Sequence, residues 1–269
     1  MGQKLEFLAP LFVPAHRPER FDKAAASGAD AIFLDLEDAV PAEAKEAARA
    51  ALRDNFTALP VLVRINGVGT PWHDGDLAAC LALEISGLVV PKMELGSDFA
   101  QLAASLAGRM PIVALIETAR GLVDARSLAQ WPAVGRLAFG SIDYCADLGC
   151  AHTREALLAA RSELVLASRL AKKPAPLDGV TASLDDAALV RSDARHAHEM
   201  GFGGKLCIHP RQIEAVRAGF LPSEAEAAWA RRILASGDGA VAVDGAMVDE
   251  PVRARARAIL RQSQSTCAS

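Results

Sequence analysis

Eight short apolar runs recur between positions 11 and 208, most of them separated by Ala-rich segments with helical spacing. They are Leu11-Phe-Val-Pro-Ala15, 31–36, Val61-Leu-Val-Arg-Ile65, Gly87-Leu-Val-Val90, Ile112-Val-Ala-Leu-Ile116, Arg136-Leu-Ala-Phe139, Leu177-Asp-Gly-Val180 and Lys205-Leu-Cys-Ile208. The runs are continuous rather than alternating, as in parallel strands buried on both faces. Amphipathic stretches at 41–56, 97–107, 152–171 and 184–200 read as helices between them, and Pro41 suits a first helical turn. Eight such units predict an α/β fold, a (β/α)8 TIM barrel. A doubly wound open sheet is the alternative, but the first turn carries no G-x-G-x-x-G and the chain has no P-loop.

After Phe220 the pattern changes. The predicted organisation is a barrel catalytic domain at 1–220 and a C-terminal extension of helices and a lid at 221–269. That extension either belongs to the same domain or packs on a neighbouring subunit. Ser223 is its predicted N-cap, with Glu226 at the capping-box position. Residues 240–247 read as a short hairpin or lid, and 251–261 as a basic helix.

Composition narrows the function. A hydrophobic fraction of 51% is ample for a core, and 23% charged residues is ordinary for a globular chain. The net charge of −4, with signs interspersed, gives no footprint for nucleic acid. No apolar stretch reaches the roughly 18–20 residues of a membrane span. The N-terminus lacks the apolar core of a signal peptide, so a cytoplasmic location is expected. The five cysteines have neither zinc-site nor C-x-x-C spacing and read as reduced thiols.

Barrel enzymes carry their chemistry at the carboxyl ends of strands. The run Ala31-Ile-Phe-Leu-Asp-Leu-Glu-Asp38 is therefore informative. Burying unpaired carboxylates is costly, so acid there must meet a metal, a cation or a solvent-filled mouth. Glu117 and Asp143 each follow an apolar strand and are the best candidates to share one hard divalent ion, since Mg²⁺ needs only one or two carboxylates. The alternative is that Glu117 caps a helix and Asp143 pairs with an arginine. Arg64, at a strand end, must find an anion: a substrate oxyanion, or an internal partner in Glu37 or Asp38. His16 and His209 have no adjacent nucleophile, and Ser141 is not in a G-x-S-x-G elbow, so a Ser/His/Asp hydrolase is poorly supported.

Taken together, Leu11-Phe-Val-Pro, Arg17-Pro-Glu-Arg20-Phe, Asp35-Leu-Glu-Asp-Ala-Val40, Val63-Arg-Ile-Asn66, Val90-Pro-Lys92, Ile116-Glu-Thr-Ala-Arg-Gly121, Phe139-Gly-Ser-Ile-Asp143 and Ile208-His-Pro210 resemble the citrate lyase β-subunit-like family. The motifs occur in the family's order and span nearly the whole chain. The resemblance implies a TIM barrel, Mg²⁺ dependence (with Mn²⁺ as an alternative ion) and carbon–carbon lyase or aldolase chemistry on a CoA or acyl-carrier thioester. It implies that Glu117 and Asp143 bind the metal and that Arg64 binds the substrate. It also implies that Glu37 lines the pocket and acts on a metal-bound water. Asp244-Gly-Ala-Met-Val-Asp249 fits a late motif of the family's CoA lyases, which makes Asp249 an acid/base supplied to a neighbouring subunit. Arg20 is kept as a candidate for CoA phosphates, although a solvated helix start explains it nearly as well.

The function implied is cleavage or formation of a 3-hydroxy-acyl thioester such as malyl-, citramalyl- or citryl-CoA, giving an acetyl thioester and a 2-keto acid. Rivals are a malyl-CoA-type thioesterase, an aldolase on a 2-keto-3-deoxy acid, and a β-like subunit of a multienzyme lyase complex. No nucleic-acid or membrane partner is expected. A homo-oligomer, trimer or hexamer, follows from the role given to Asp249.

Overall fold

The structure is a computed structural model that describes residues 5–106, 108–237, 241–243 and 246–265, with backbone only at 241–243, 246 and 262–265. It divides into two compact units, Met1–Arg217 and Ala218–Ser269. The first holds eight strands: β1 (Leu11–Pro14), β2 (Ile32–Asp35), β3 (Val61–Arg64), β4 (Gly87–Val90), β5 (Ile112–Ile116), β6 (Val134–Phe139), β7 (Leu177–Asp178) and β8 (Gly204–Lys205). They pair in sequence order, all parallel. The sheet curls until its ends meet. Leu11 and Cys207 form a parallel bridge, and backbone bonds Lys205 N to Leu8 O (2.8 Å), Cys207 N to Pro10 O and Phe12 N to Cys207 O (each 2.9 Å) join the last strand to the first. This is the TIM-barrel-like arrangement expected from the eight apolar runs.

Helices fill the crossovers: α1 (Phe21–Ala25), α2 (Lys45–Ala50), α3 (His73–Leu81), α4 (Ser97–Leu106), α5 (Ala119–Gln130), α6 (Ser141–Leu148), α7 (Leu158–Leu170), α8 (Ala187–Met200) and α9 (Arg211–Phe220). Five of these, α1, α3, α5, α6 and α9, lie outside the amphipathic stretches named from the sequence. Helices α5 and α6 start directly after the polar strand ends, where motif and helix overlap. The Thr118 hydroxyl caps α5 by accepting from Gly121 N at 2.9 Å. Strands β7 and β8 are only two residues long, shorter than their apolar runs. At Gly179 the chain passes so close to Ser141 and Phe139 that a side chain there would collide with both.

Side-chain alternation builds the interior. Phe33, Leu62, Val89, Val113, Leu115, Ala138, Leu177 and Leu206 form one buried cluster with Leu5 and Phe7. Phe33 meets Phe7 and Phe12 edge to face, with centroids 5.4 and 5.2 Å apart. Each fully buried large apolar side chain contributes roughly 1.5–3 kcal/mol. The same period of two carries the chain outward from this layer to polar groups. Phe33 leads to Asp35, Leu62 to Arg64, Leu115 to Glu117 and Ala138 to Gly140. In the opposite direction Ala138 leads down to Arg136. That guanidinium, 2% exposed, plugs the far end of the barrel by donating to the carbonyls of Leu5, Phe7 and Ala175.

The second unit has its own core. Helix α10 (Glu224–Ala235) packs against α11 (Glu250–Ser265), with Ala230, Ile233, Val248 and Ala256 buried between them. The predicted capping box at its start is present: Ser223 Oγ accepts from Glu226 N, and the Glu226 carboxylate accepts from Ser223 N. The expected hairpin is β9 (Val241–Val243) and β10 (Ala246–Val248), paired antiparallel. Cys80, Cys145, Cys150 and Cys207 are free thiols; Cys267 lies outside the described residues. Among the described residues, no helix is long and apolar enough to cross a membrane.

Candidate active site

Strand register assembles the site before any side chain is considered. It places Asp35 beside Arg64 across the β2–β3 pair. The Arg64 guanidinium forks onto that carboxylate, Nε to Oδ1 at 2.7 Å and Nη2 to Oδ2 at 2.6 Å. The third nitrogen, Nη1, lies 3.0 Å from Glu37 Oε2 and 3.4 Å from Asp38 Oδ2. The Glu37 contact is an ion pair without hydrogen-bond alignment. The internal partners expected for Arg64 were Glu37 and Asp38. The principal one is instead Asp35, because period-two alternation points it inward on the same layer. Asp35 also accepts from the backbone N–H groups of Glu37 (2.9 Å) and Ala39 (3.2 Å), so it fixes the turn that carries Glu37. Asp38 is more than half exposed and adds little. Burial opposes the Arg64 charge, but Asp35, Glu37 and Asp38 outweigh it and hold the guanidinium above its ordinary value.

Glu117, at the end of β5, is 2% exposed. Its Oε1 accepts from Lys92 N at 2.8 Å, and the carboxylate lies across Gly140, where any Cβ would collide with it. Burial first, then the Glu37 and Asp143 charges, push the Glu117 carboxyl up to about 8. Glu37, 7% exposed, is likewise raised to about 7, chiefly by burial and despite Arg64. Asp143, in the first turn of α6, is half-buried and has no side-chain hydrogen bond or ion pair among the described residues.

Glu117, Asp143, Arg64, Asp35, Phe139 and Ser141 all line one cavity of about 390 Å³. Glu37 faces a second, of about 600 Å³, which Lys45, Asn66, Trp72 and Lys92 also line. No group of three or more His, Cys, Asp or Glu side chains with metal-holding geometry occurs among the described residues. The donor set is two hard carboxylates, one of them without a hydrogen-bond or ion-pair partner among the described residues and the other pushed toward protonation by burial and then by its acidic neighbours. Such a pair fits a hard divalent cation whose other positions are oxygens of water or substrate.

Of the residues expected at one mouth, Arg64, Glu117 and Asp143 line one cavity, and Glu37 lines the other while keeping its ion pair with Arg64. Arg20 lies elsewhere: it ends the short turn Pro18–Arg20, is exposed, and is not part of either cavity wall. Asp249 belongs to the second unit, where its carboxylate accepts from Val252 N at 3.2 Å at the start of α11. Asp244 and Gly245 of its motif lie outside the described residues.

Two contributors were missed. Lys45 is 6% exposed, and its ammonium donates to Leu36 O, Glu37 O and Asn66 Oδ1 at 2.6–2.8 Å, so it anchors the backbone under Glu37. A lysine inside an Ala-rich helix gives no sign of that in the sequence. Ser141 Oγ lies 2.9 Å from His152 Nε2, a partner contributed by the segment after α6 rather than by an adjacent motif.

The HpcH/HpaI aldolase/citrate lyase family matches residues 8–210, the whole length of the strands. A citrate lyase subunit beta-like protein of Deinococcus radiodurans is 42% identical over 93% of this chain and 95% of its own length. A (3S)-malyl-CoA thioesterase of Cereibacter sphaeroides is 32% identical over 97% and 96%. The crystal structure of protein CitE from Mycobacterium tuberculosis in complex with magnesium, acetoacetate and coenzyme A superposes with a TM-score of 0.87. It is 38% identical and covers 97% of this chain and 100% of that one. A further structure, the citrate lyase beta subunit of M. tuberculosis with oxaloacetate and magnesium, gives a TM-score of 0.72 at 36% identity over 81% and 99%. With the strand ends occupied as described, these matches establish that the chain belongs to the HpcH/HpaI aldolase/citrate lyase family.

Proposed function

We propose that the chain is a Mg²⁺-dependent carbon–carbon lyase acting on a 3-hydroxy-acyl thioester, with an acetyl thioester and a 2-keto acid as the other side of the equilibrium. The observation that carries this reading is the pair Glu117 and Asp143, an acid raised by burial and then by like charge beside an acid with no hydrogen-bond or ion-pair partner among the described residues, in one cavity with Arg64. Relatives in the same family contain magnesium with coenzyme A or a keto acid, which supports the same ion and substrate class here.

Glu117 and Asp143 hold the ion, which when bound supplies Lewis-acid polarisation of the substrate's oxygens. Arg64 offers its remaining N–H groups to the oxygen on which enolate charge develops. Asp35 preorganises it for that task, so no reorientation is needed during the reaction. Glu37, with its carboxyl near 7, is matched to taking and returning a proton at the acetyl carbon near neutral pH. Asp249 is the second candidate for that transfer, delivered by the C-terminal unit of a neighbouring copy in a trimer or hexamer and acting as part of a lid over the barrel mouth. Arg20 is retained only as a contact for the thioester's phosphates.

The test is a mass-spectrometric screen of malyl-, citramalyl- and citryl-CoA with Mg²⁺ and with EDTA. Acetyl-CoA plus a keto acid is the expected product pair. Free CoA without acetyl-CoA would favour the thioesterase reading, to which the Cereibacter relative and the Ser141–His152 bond lend weight. Full turnover by Glu117→Ala in EDTA would overturn the scheme. A strictly monomeric active enzyme on size exclusion would remove Asp249 from it.

A further inference from the structure

Among the described non-glycine residues only Lys92 and Lys172 have positive φ. Lys172 (φ 55°) sits in the turn that ends α7, where its amide bonds back to Arg169. Such left-handed turns are common after a helix. Lys92 (φ 47°) follows β4 at the barrel mouth, where no helix end explains the conformation. L-residues with side chains enter this region at a cost and persist there only when their surroundings hold them.

The surroundings are the two acids of the site. The left-handed turn aims Lys92 N–H at Glu117 Oε1 (2.8 Å). The side chain of the same residue runs the other way and places Nζ 3.3 Å from Glu37 Oε1. Pro91 precedes it and restricts the chain's entry into the turn. One residue thus grips a carboxylate of the metal pair with its backbone and the pocket acid with its ammonium. Its ammonium is half-exposed and lies on the wall of the larger cavity, so it is not needed for core packing.

We infer that Lys92 is a positioning residue that fixes the separation of Glu117 and Glu37. In this division of labour its backbone serves metal binding, and its side chain serves the proton-transfer acid. The inference rests on the metal assignment made above for Glu117, and its test separates the two.

Mn²⁺ binding followed by electron paramagnetic resonance, together with steady-state kinetics, distinguishes the two halves. Lys92→Gly keeps the amide and eases the left-handed turn, so Mn²⁺ affinity should stay within about twofold. Its kcat should fall roughly tenfold while KM changes little, because Glu37 has lost its tether. Lys92→Arg should recover most of that kcat. Lys92→Ile, with a branched Cβ that opposes positive φ, should weaken Mn²⁺ binding by roughly tenfold. Hydrogen exchange in the wild type keeps the backbone half testable even if that variant misfolds. The Lys92 amide should be protected, and Glu117→Ala should remove the protection. Wild-type affinity and kcat in all three variants would overturn the role of Lys92, as would a freely exchanging Lys92 amide in the wild type. Failure of the wild type to bind Mn²⁺ at all would instead defeat the metal assignment, and the positioning role with it.

Discussion

The barrel contains two buried charge clusters, and their balance is opposite. At the mouth, Asp35 and Glu37 share Arg64, Glu37 also pairs with Lys92, and Glu117 and the half-buried Asp143 line the same cavity as Arg64, so acids outnumber cations. Between β7 and β8, Asp178 alone meets both Arg161 and Lys205, each at 2.9 Å, and Lys205 also donates to Gly179 O at 2.5 Å. Burial drives the Asp178 carboxyl up, but Lys205 and Arg161 more than reverse this and hold it below its ordinary value. The corresponding shifts at the mouth run upward, to about 8 for Glu117 and about 7 for Glu37. A cluster whose single acid is held by two cations is a structural joint. One left short of positive charge is prepared for a cation that arrives from outside.

Breaking either cluster should therefore register in different measurements. Glu117→Gln should lower turnover by roughly three orders of magnitude, since several kcal/mol of charge stabilisation depends on the bound ion. Yet chemical denaturation of the metal-free protein at neutral pH should show no loss of stability, because the amide is neutral like the protonated carboxyl it replaces and can still accept from Lys92 N. Asp178→Asn should do the reverse. It leaves Arg161 and Lys205 buried without their counter-charge and should cost about 3–5 kcal/mol in urea unfolding, with the metal affinity of any folded fraction unchanged.

Acidity sharpens the contrast more gently. Glu37 and Glu117 bind protons more tightly in the folded chain than at their ordinary value of 4.5. Their contribution to stability is therefore fully present below that value and is lost as pH rises through about 7 and 8. Metal-free protein should thus lose stability between pH 5 and pH 8, and Mg²⁺ should restore it more at pH 8 than at pH 6. Thermal melts with and without the ion check both signs. The smallest effect belongs to the second unit: Ser223→Ala removes a helix cap and should cost about 1 kcal/mol, with no change in metal binding.

The contrast also explains what could be read from the chain. Glu117 and Asp143 were legible because each follows an apolar strand directly, and strand ends in such a fold converge on one mouth. Arg64 was legible as a cation needing an anion, but its partner was not. Choosing Asp35 over Asp38 requires the strand register, which no single run contains. Lys45 was illegible for a similar reason. Its burial is created by Leu36, Glu37 and Asn66, residues remote from it in sequence. Helices α5 and α6 escaped because the polar residues that identify the site sit in or beside their first turns and disguise their periodicity. Just past the short strand β7, Gly179 packs closely on Ser141, a contact between distant segments that no single run displays.

The guanidinium plug at the far end of the barrel has a consequence for synthesis. Leu5 and Phe7 are made well before the Arg136 that takes up their carbonyls, which follows 131 and 129 positions later. The bond from Cys207 N to Pro10 O that completes the ring comes later still. A nascent chain must therefore carry the Leu5 and Phe7 carbonyls on water until Arg136 has been made, and β1 with its outer edge unpaired until β8 has been made. The ring cannot close progressively. It closes only when its last strand meets its first.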